Sequence, residues 1–70
     1  MIDDKDKAIA KRIRRYRKQS GLTQVALGEK VGVSSNTIAR IEGCKNQPSR
    51  ATIEKLAKVF GVTVTDILGR

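Results

Sequence analysis

Ser35, Asn36, Thr37, Ala39 and Arg40 bring hydroxyl, carboxamide, methyl and guanidinium groups into six consecutive positions, with Ile38 set among them. Such side chains do not build a nucleophile. Their chemistry is directional hydrogen bonding to planar edges. A carboxamide pairs with adenine N6 and N7, a guanidinium with guanine O6 and N7, hydroxyls with bases or phosphates, and methyl groups with the thymine methyl. Gln24 and the amides behind Thr23 stand at a predicted helix start, where unsatisfied N–H groups and the helix dipole favour a phosphate.

Catalytic alternatives are thin. The 70 residues contain no His and one Cys, so neither a zinc ligand set nor a His-based dyad is available, and no cofactor or metal is expected. The lone Cys44 cannot form an intramolecular disulfide. Fifteen Lys and Arg against seven Asp and Glu give a formal charge of +8 and a pI near 10.3, which calls for a polyanionic partner. The excess lies at the front, with net charges of +5 over residues 1–20, +2 over 21–50 and +1 over 51–70. No apolar run approaches the roughly 18 residues that span a bilayer, and the chain opens with acids instead of a basic and then apolar leader. A cytoplasmic, nucleoid-associated protein is the expectation.

These groups need rigid elements to aim them. Gly21, Gly32, Gly43, Pro48 and Gly61 interrupt helix-friendly runs, and Ser or Thr follows most of the breaks, which predicts an all-α chain of five short helices. The first runs from about Lys7 to Gln19, with Asp6 or Asp4 as its N-cap and Ile9, Ile13 and Tyr16 as its apolar stripe. Lys11, Arg14, Arg15 and Lys18 fall on the opposite face. Thr23 caps a second helix, Gln24 to Val31, and Ser34 a third that ends near Glu42. A fourth starts after Ser49 and stops at Gly61, and a fifth follows Thr63, whose spacing to Asp66 is that of a capping box. The apolar residues around Val64 to Leu68 are expected to exceed what one short terminal helix buries, and so to offer a dimer surface.

Between residues 24 and 43 the spacing is specific. Two helices joined by a tight turn at 90–120° approach closely, so the fifth position of the first must be small, and Gly28 stands there. The turn needs a positive φ, supplied by Gly32, while Ile38 and Ile41 seat the second helix on the first. A helix-turn-helix follows from spacing alone.

The chain resembles the lambda-repressor/Cro-like family, also called Cro/C1-type or XRE-type helix-turn-helix, over about residues 8–69. The likeness rests on Ile9-x-x-x-Ile13-Arg14-x-x-Arg17, Gly21-Leu22-Thr23-Gln24, Lys30-Val31-Gly32-Val33-Ser34-x-x-Thr37-Ile38, Arg40-Ile41-Glu42, Pro48-Ser49 and Leu56-Ala57-Lys58-x-Phe60-Gly61-Val62 with Ile67-Leu68. It implies a compact five-helix domain over residues 8–70 behind an extension at 1–7. It also implies homodimers on double-stranded DNA operators of two half-sites, the third helix reading the major groove.

By the same resemblance Ser35, Asn36 and Arg40 fall at base-directed positions, Gln24 at one directed toward both phosphate and base edge, and Thr37, Lys45 and Asn46 at backbone-directed ones. Ser34 and Arg14 complete the candidate set. Arg17 and Glu42 occupy the places of a structural pair. One departure stands out: the family's Glu-x-Gly-Lys is here Glu42-Gly43-Cys44-Lys45, with glycine one place early. Two readings stay open: a transcriptional regulator, more in keeping with a repressor, and a protein-interaction module such as an antitoxin or co-regulator with its own protein partner. Neither is an enzyme or a membrane protein.

Overall fold

Hydroxyl side chains set the starts of four helices. Thr23 Oγ1 accepts the Ala26 amide at 3.0 Å, Ser34 Oγ that of Thr37 at 3.1 Å, Ser49 Oγ that of Thr52 at 3.2 Å and Thr63 Oγ1 that of Asp66 at 3.0 Å. Each bond satisfies a donor that the first turn leaves unpaired, worth about 1 kcal/mol. At Thr63 the exchange is reciprocal, because Asp66 Oδ2 accepts the Thr63 amide at 3.0 Å and closes the expected capping box.

The computed structural model describes residues 4–69, and in it the elements are α1 (Asp4–Gln19), α2 (Gln24–Val31), α3 (Ser35–Glu42), α4 (Arg50–Phe60) and α5 (Val64–Leu68). Among the described residues there is no strand, and no helix is long and apolar enough to cross a membrane. The all-α, five-helix expectation holds.

The start of α1 departs from expectation. The helix already includes Asp4, so Asp4 and Asp6 lie within it and neither is its cap. Asp4-Lys5-Asp6 contains no breaker, and acids near an N-terminal end suit the dipole. Asp6 instead turns to the loop after α3, where its Oδ2 accepts from the side-chain Nε2 of Gln47 at 2.8 Å.

Five aliphatic side chains, Ile13, Leu27, Ile38, Leu56 and Ile67, are wholly buried and come one from each helix. Each contributes about 1.5–3 kcal/mol of transfer free energy. The inner face of α1 is shifted from the expected stripe: Ala10 is buried with Ile13, whereas Ile9 and Tyr16 pack at the margin. Tyr16 stacks on Phe60 with ring centroids 5.7 Å apart. The surplus of apolar surface expected at Val64 to Leu68 is reduced to the open parts of two side chains. Ile67 is fully buried, and Val64 and Leu68 are half-buried against the core, because α5 lies on both α1 and α4.

Candidate nucleic-acid interface

The interface begins with the close approach of α2 and α3. A Cβ built on Gly28 would sit 2.5 Å from the Val33 carbonyl oxygen, so only glycine lets the turn fold back at this point. Gly32 takes φ +81°, the left-handed conformation that ends α2, and the Val33 amide donates to the Gly28 carbonyl at 2.8 Å. Leu27 and Val31 on one side and Ile38 and Ile41 on the other fill the angle between the helices. The axis of α3 is thereby set by backbone and aliphatic contacts.

A buried ion pair holds its far end. Arg17 Nε donates to Glu42 Oε2 at 2.7 Å and Nη2 to Oε1 at 3.1 Å, a two-pronged contact between side chains only 12% and 5% exposed. Arg17 Nη1 donates to the Leu22 carbonyl at 2.9 Å, so one guanidinium ties α1, the α1–α2 turn and the end of α3. The hydrogen bond that Arg17 donates to Glu42, opposed by burial and reinforced by the carboxylate charge, holds the Arg17 pKa above its ordinary value. The Nε2 of Gln24 reaches the same carboxylate at 3.4 Å. Gln24 therefore stands at the start of α2, half-buried, with its carboxamide joined to this junction.

Past Glu42 the chain turns at an unexpected residue. Gly43 has φ −90°, and Cys44 takes the left-handed conformation at φ +59°. The early glycine thus leaves a side-chain-bearing residue where the turn needs positive φ, at a cost of about 1 kcal/mol. The amides of Lys45 and Asn46 both donate to the Arg40 carbonyl, at 2.8 and 3.3 Å, which draws their exposed side chains to the end of α3 beside Arg40.

On the outer side of α3, Asn36 and Arg40 are exposed and Ser35 is half-buried. Ser34 and Thr37 are engaged locally: Ser34 Oγ caps the helix and lies 3.0 Å from Thr37 Oγ1. The fold thus gathers Ser34, Ser35, Asn36, Thr37, Arg40, Lys45 and Asn46 along α3 and its exit loop, with Gln24 at the adjoining start of α2. Arg14 stands apart, exposed on the outer face of α1. Val25 was not singled out from the sequence. It is 56% exposed, the one large hydrophobe so exposed among the described residues, and its position opposite Leu27 and Val31 on the helical wheel is the signal that marks it. Among the described residues no group of three or more His, Cys, Asp or Glu is placed to hold a metal ion.

A tight two-helix turn, a second helix with its apolar side committed and its polar side free, and three supporting helices define a lambda-repressor-like helix-turn-helix domain. Residues 8–68 match the family described as helix-turn-helix domain, and the chain belongs to that family. It is similar to the immunity repressor protein of Bacillus phage phi105, 39% identical over 61 residues, which are 87% of this chain and 42% of that protein. An HTH-type transcriptional regulator of Methanocaldococcus jannaschii is 45% identical over 56 residues, 80% of this chain and 85% of the relative. Among solved structures, the P22 c2 repressor protein in complex with synthetic operator 9T superposes with a TM-score of 0.80 at 30% identity, covering 84% of this chain and 89% of that one. The chain thus spans about two fifths of the phage phi105 relative and most of the archaeal one.

Proposed function

We propose that this protein is a sequence-specific, double-stranded-DNA-binding transcriptional repressor that acts as a homodimer on a pseudo-palindromic operator. The observation that carries the reading is the division of labour on α3. Its inner side is locked by Gly28, Ile38, Ile41 and the Arg17–Glu42 pair, while Asn36 and Arg40 remain exposed and have no side-chain partner among the described residues. An exposed amide and guanidinium on a rigid helix suit base edges in the major groove. Ser35 joins them. Lys45, Asn46, Thr37 and Ser34 flank them as backbone contacts, with the capping bonds of Ser34 and Thr37 orienting their oxygens, and Gln24 adjoins them for phosphate and base edge.

The +8 charge supplies attraction to any duplex, and the polar face of α3 supplies choice among sequences. The likeness to the P22 c2 repressor–operator complex supports the same placement. For self-association the chain offers the α4–α5 side, where Val62 and Val64 stay half-buried beside Ala51 and Lys58.

In vitro selection from random-sequence duplex at about 150 mM salt, near physiological strength, tests the proposal. The expected pool carries an inverted repeat whose half-site centres lie about 34–36 Å apart, one helical turn. Binding with a pool that stays random contradicts it and favours the protein-interaction reading.

A further inference from the structure

One strongly charged surface is left over by this account. Lys7, Lys11, Arg14 and Lys18 recur at i, i+4, i+7 and i+11 along α1, and Arg15 lies beside them. All five are exposed. None of the five is paired with a carboxylate among the described residues, and residues 7–19 contain no acid. Lys11, Arg14, Arg15 and Lys18 line one shallow surface hollow with Gln19.

The direction of this stripe follows from helix geometry. Asp6 and Arg17 mark the edge of α1 that faces α3 and its exit loop, since they reach Gln47 and Glu42. At about 100° per residue, the stripe is centred about 100° further around the helix from that edge, and about 180° from Ile9 and Tyr16. The stripe is therefore turned away from the side of α1 that adjoins α3.

We infer that the outer face of α1 is a second, sequence-independent duplex site, which lets one protein hold two DNA segments. The inference rests on the reading of α3 as the operator site. Laid along a duplex axis, Lys7 to Lys18 spans about 16 Å, over which one strand advances roughly five phosphates. The stripe thus matches a regular polyanion. The hollow lacks what a protein partner needs, an apolar or aromatic anchor at the centre of the contact, because its lining is Lys11, Arg14, Arg15, Lys18 and Gln19. An anionic membrane finds no apolar side to insert, because that side of α1 is already in the core.

The test holds the full chain on an immobilised duplex carrying the selected operator and measures capture of a labelled second duplex without half-sites. The variant replaces Lys7, Lys11, Arg15 and Lys18 by Gln, all on an exposed helix face, and its fold is checked by circular dichroism. At protein concentrations that saturate the first duplex, the variant is expected to capture at least tenfold less of the second. The slope of log affinity against log salt for that capture is expected to fall by about 3 to 4.

Unchanged capture by the variant overturns the inference, and so does polyglutamate displacing the second duplex as well as free DNA does at equal charge. If the salt slope for the operator itself falls by that amount, the stripe lies on the operator duplex and the inference is likewise overturned. Arg40→Ala separates the two readings: it is expected to weaken retention on the operator while capture of random duplex persists. A wild-type chain with no operator preference instead removes the reading of α3.

Discussion

The two sides of α3 treat polar groups in opposite ways. Behind the helix, Arg17 and Glu42 are nearly excluded from water, and both carboxylate oxygens are engaged, one of them also by Gln24. In front, Asn36 and Arg40 are open to solvent, and Arg40 has no ion pair among the described residues. The first arrangement is rigid and costly to disturb, because removing one partner strands a buried charge. The second costs folding almost nothing to change, because water already solvates it. Positioning is built from satisfied groups and the proposed recognition face from groups left to water, so substitutions on the two sides are expected to differ in kind.

The largest effect is expected behind the helix. Glu42→Ala leaves the Arg17 guanidinium buried and unpaired, at a cost of about 3 kcal/mol, which lowers the melting temperature by about 15 °C in a domain of this size. Thermal denaturation followed by circular dichroism checks this, and a loss below 3 °C would erase the distinction between the two sides.

Next comes Gly28→Ala, whose new methyl meets the Val33 carbonyl at 2.5 Å. About 2 kcal/mol of destabilisation is expected from forcing α2 and α3 apart, measured by urea unfolding. In front, Arg40→Ala is expected to cost about 1–3 kcal/mol in binding to the selected site and less than about 0.5 kcal/mol in stability. Titration of labelled duplex beside a melting curve on the same sample reads both numbers.

Smaller still is a gain: Cys44→Gly relieves the left-handed strain at φ +59° and is expected to stabilise by about 1 kcal/mol. An unchanged melting temperature would show that the turn carries no strain. The smallest effect concerns pH. Because Glu42 raises the Arg17 pKa, the stabilisation from the arginine is complete below its unfolded value and is lost only as pH climbs through the higher folded one. The difference in melting temperature between wild type and Arg17→Ala should therefore be the same at pH 7 and pH 9.5.

What the sequence made legible divides along physical lines. Local rules carried well: the capping hydroxyls at Thr23, Ser34, Ser49 and Thr63 bond as their spacing predicts, and Gly32 takes the positive φ its turn requires. Gly28 and the Arg17–Glu42 pair were legible too, one from the steric demand of a helix-turn-helix and the other from the family resemblance.

Contacts decided by tertiary placement were not. Asp6 looks like a cap until the loop after α3 arrives and supplies Gln47 as a donor. Ala10 looks neutral until the helices close over it. Arg12 flanks the apolar stripe of α1 on the helical wheel, but only the arrival of α5 shows what it meets: its guanidinium packs so closely there that a Cβ on Gly69 would meet it at 2.6 Å. The candidate interface was legible along α3, where one helix carries most of the set. It was less so for Arg14, whose direction depends on how α1 is rolled against the rest.

The most direct test of the division of labour compares Arg40→Ala with Glu42→Gln on the selected operator and every single-base change within one half-site. The account predicts that Arg40→Ala flattens preference at one base pair and leaves the others intact, whereas Glu42→Gln lowers affinity for all sequences and keeps their ranking. A uniform loss from Arg40→Ala, with every base preference preserved, would assign that side chain to the phosphate backbone and contradict the claim that the free face of α3 reads sequence.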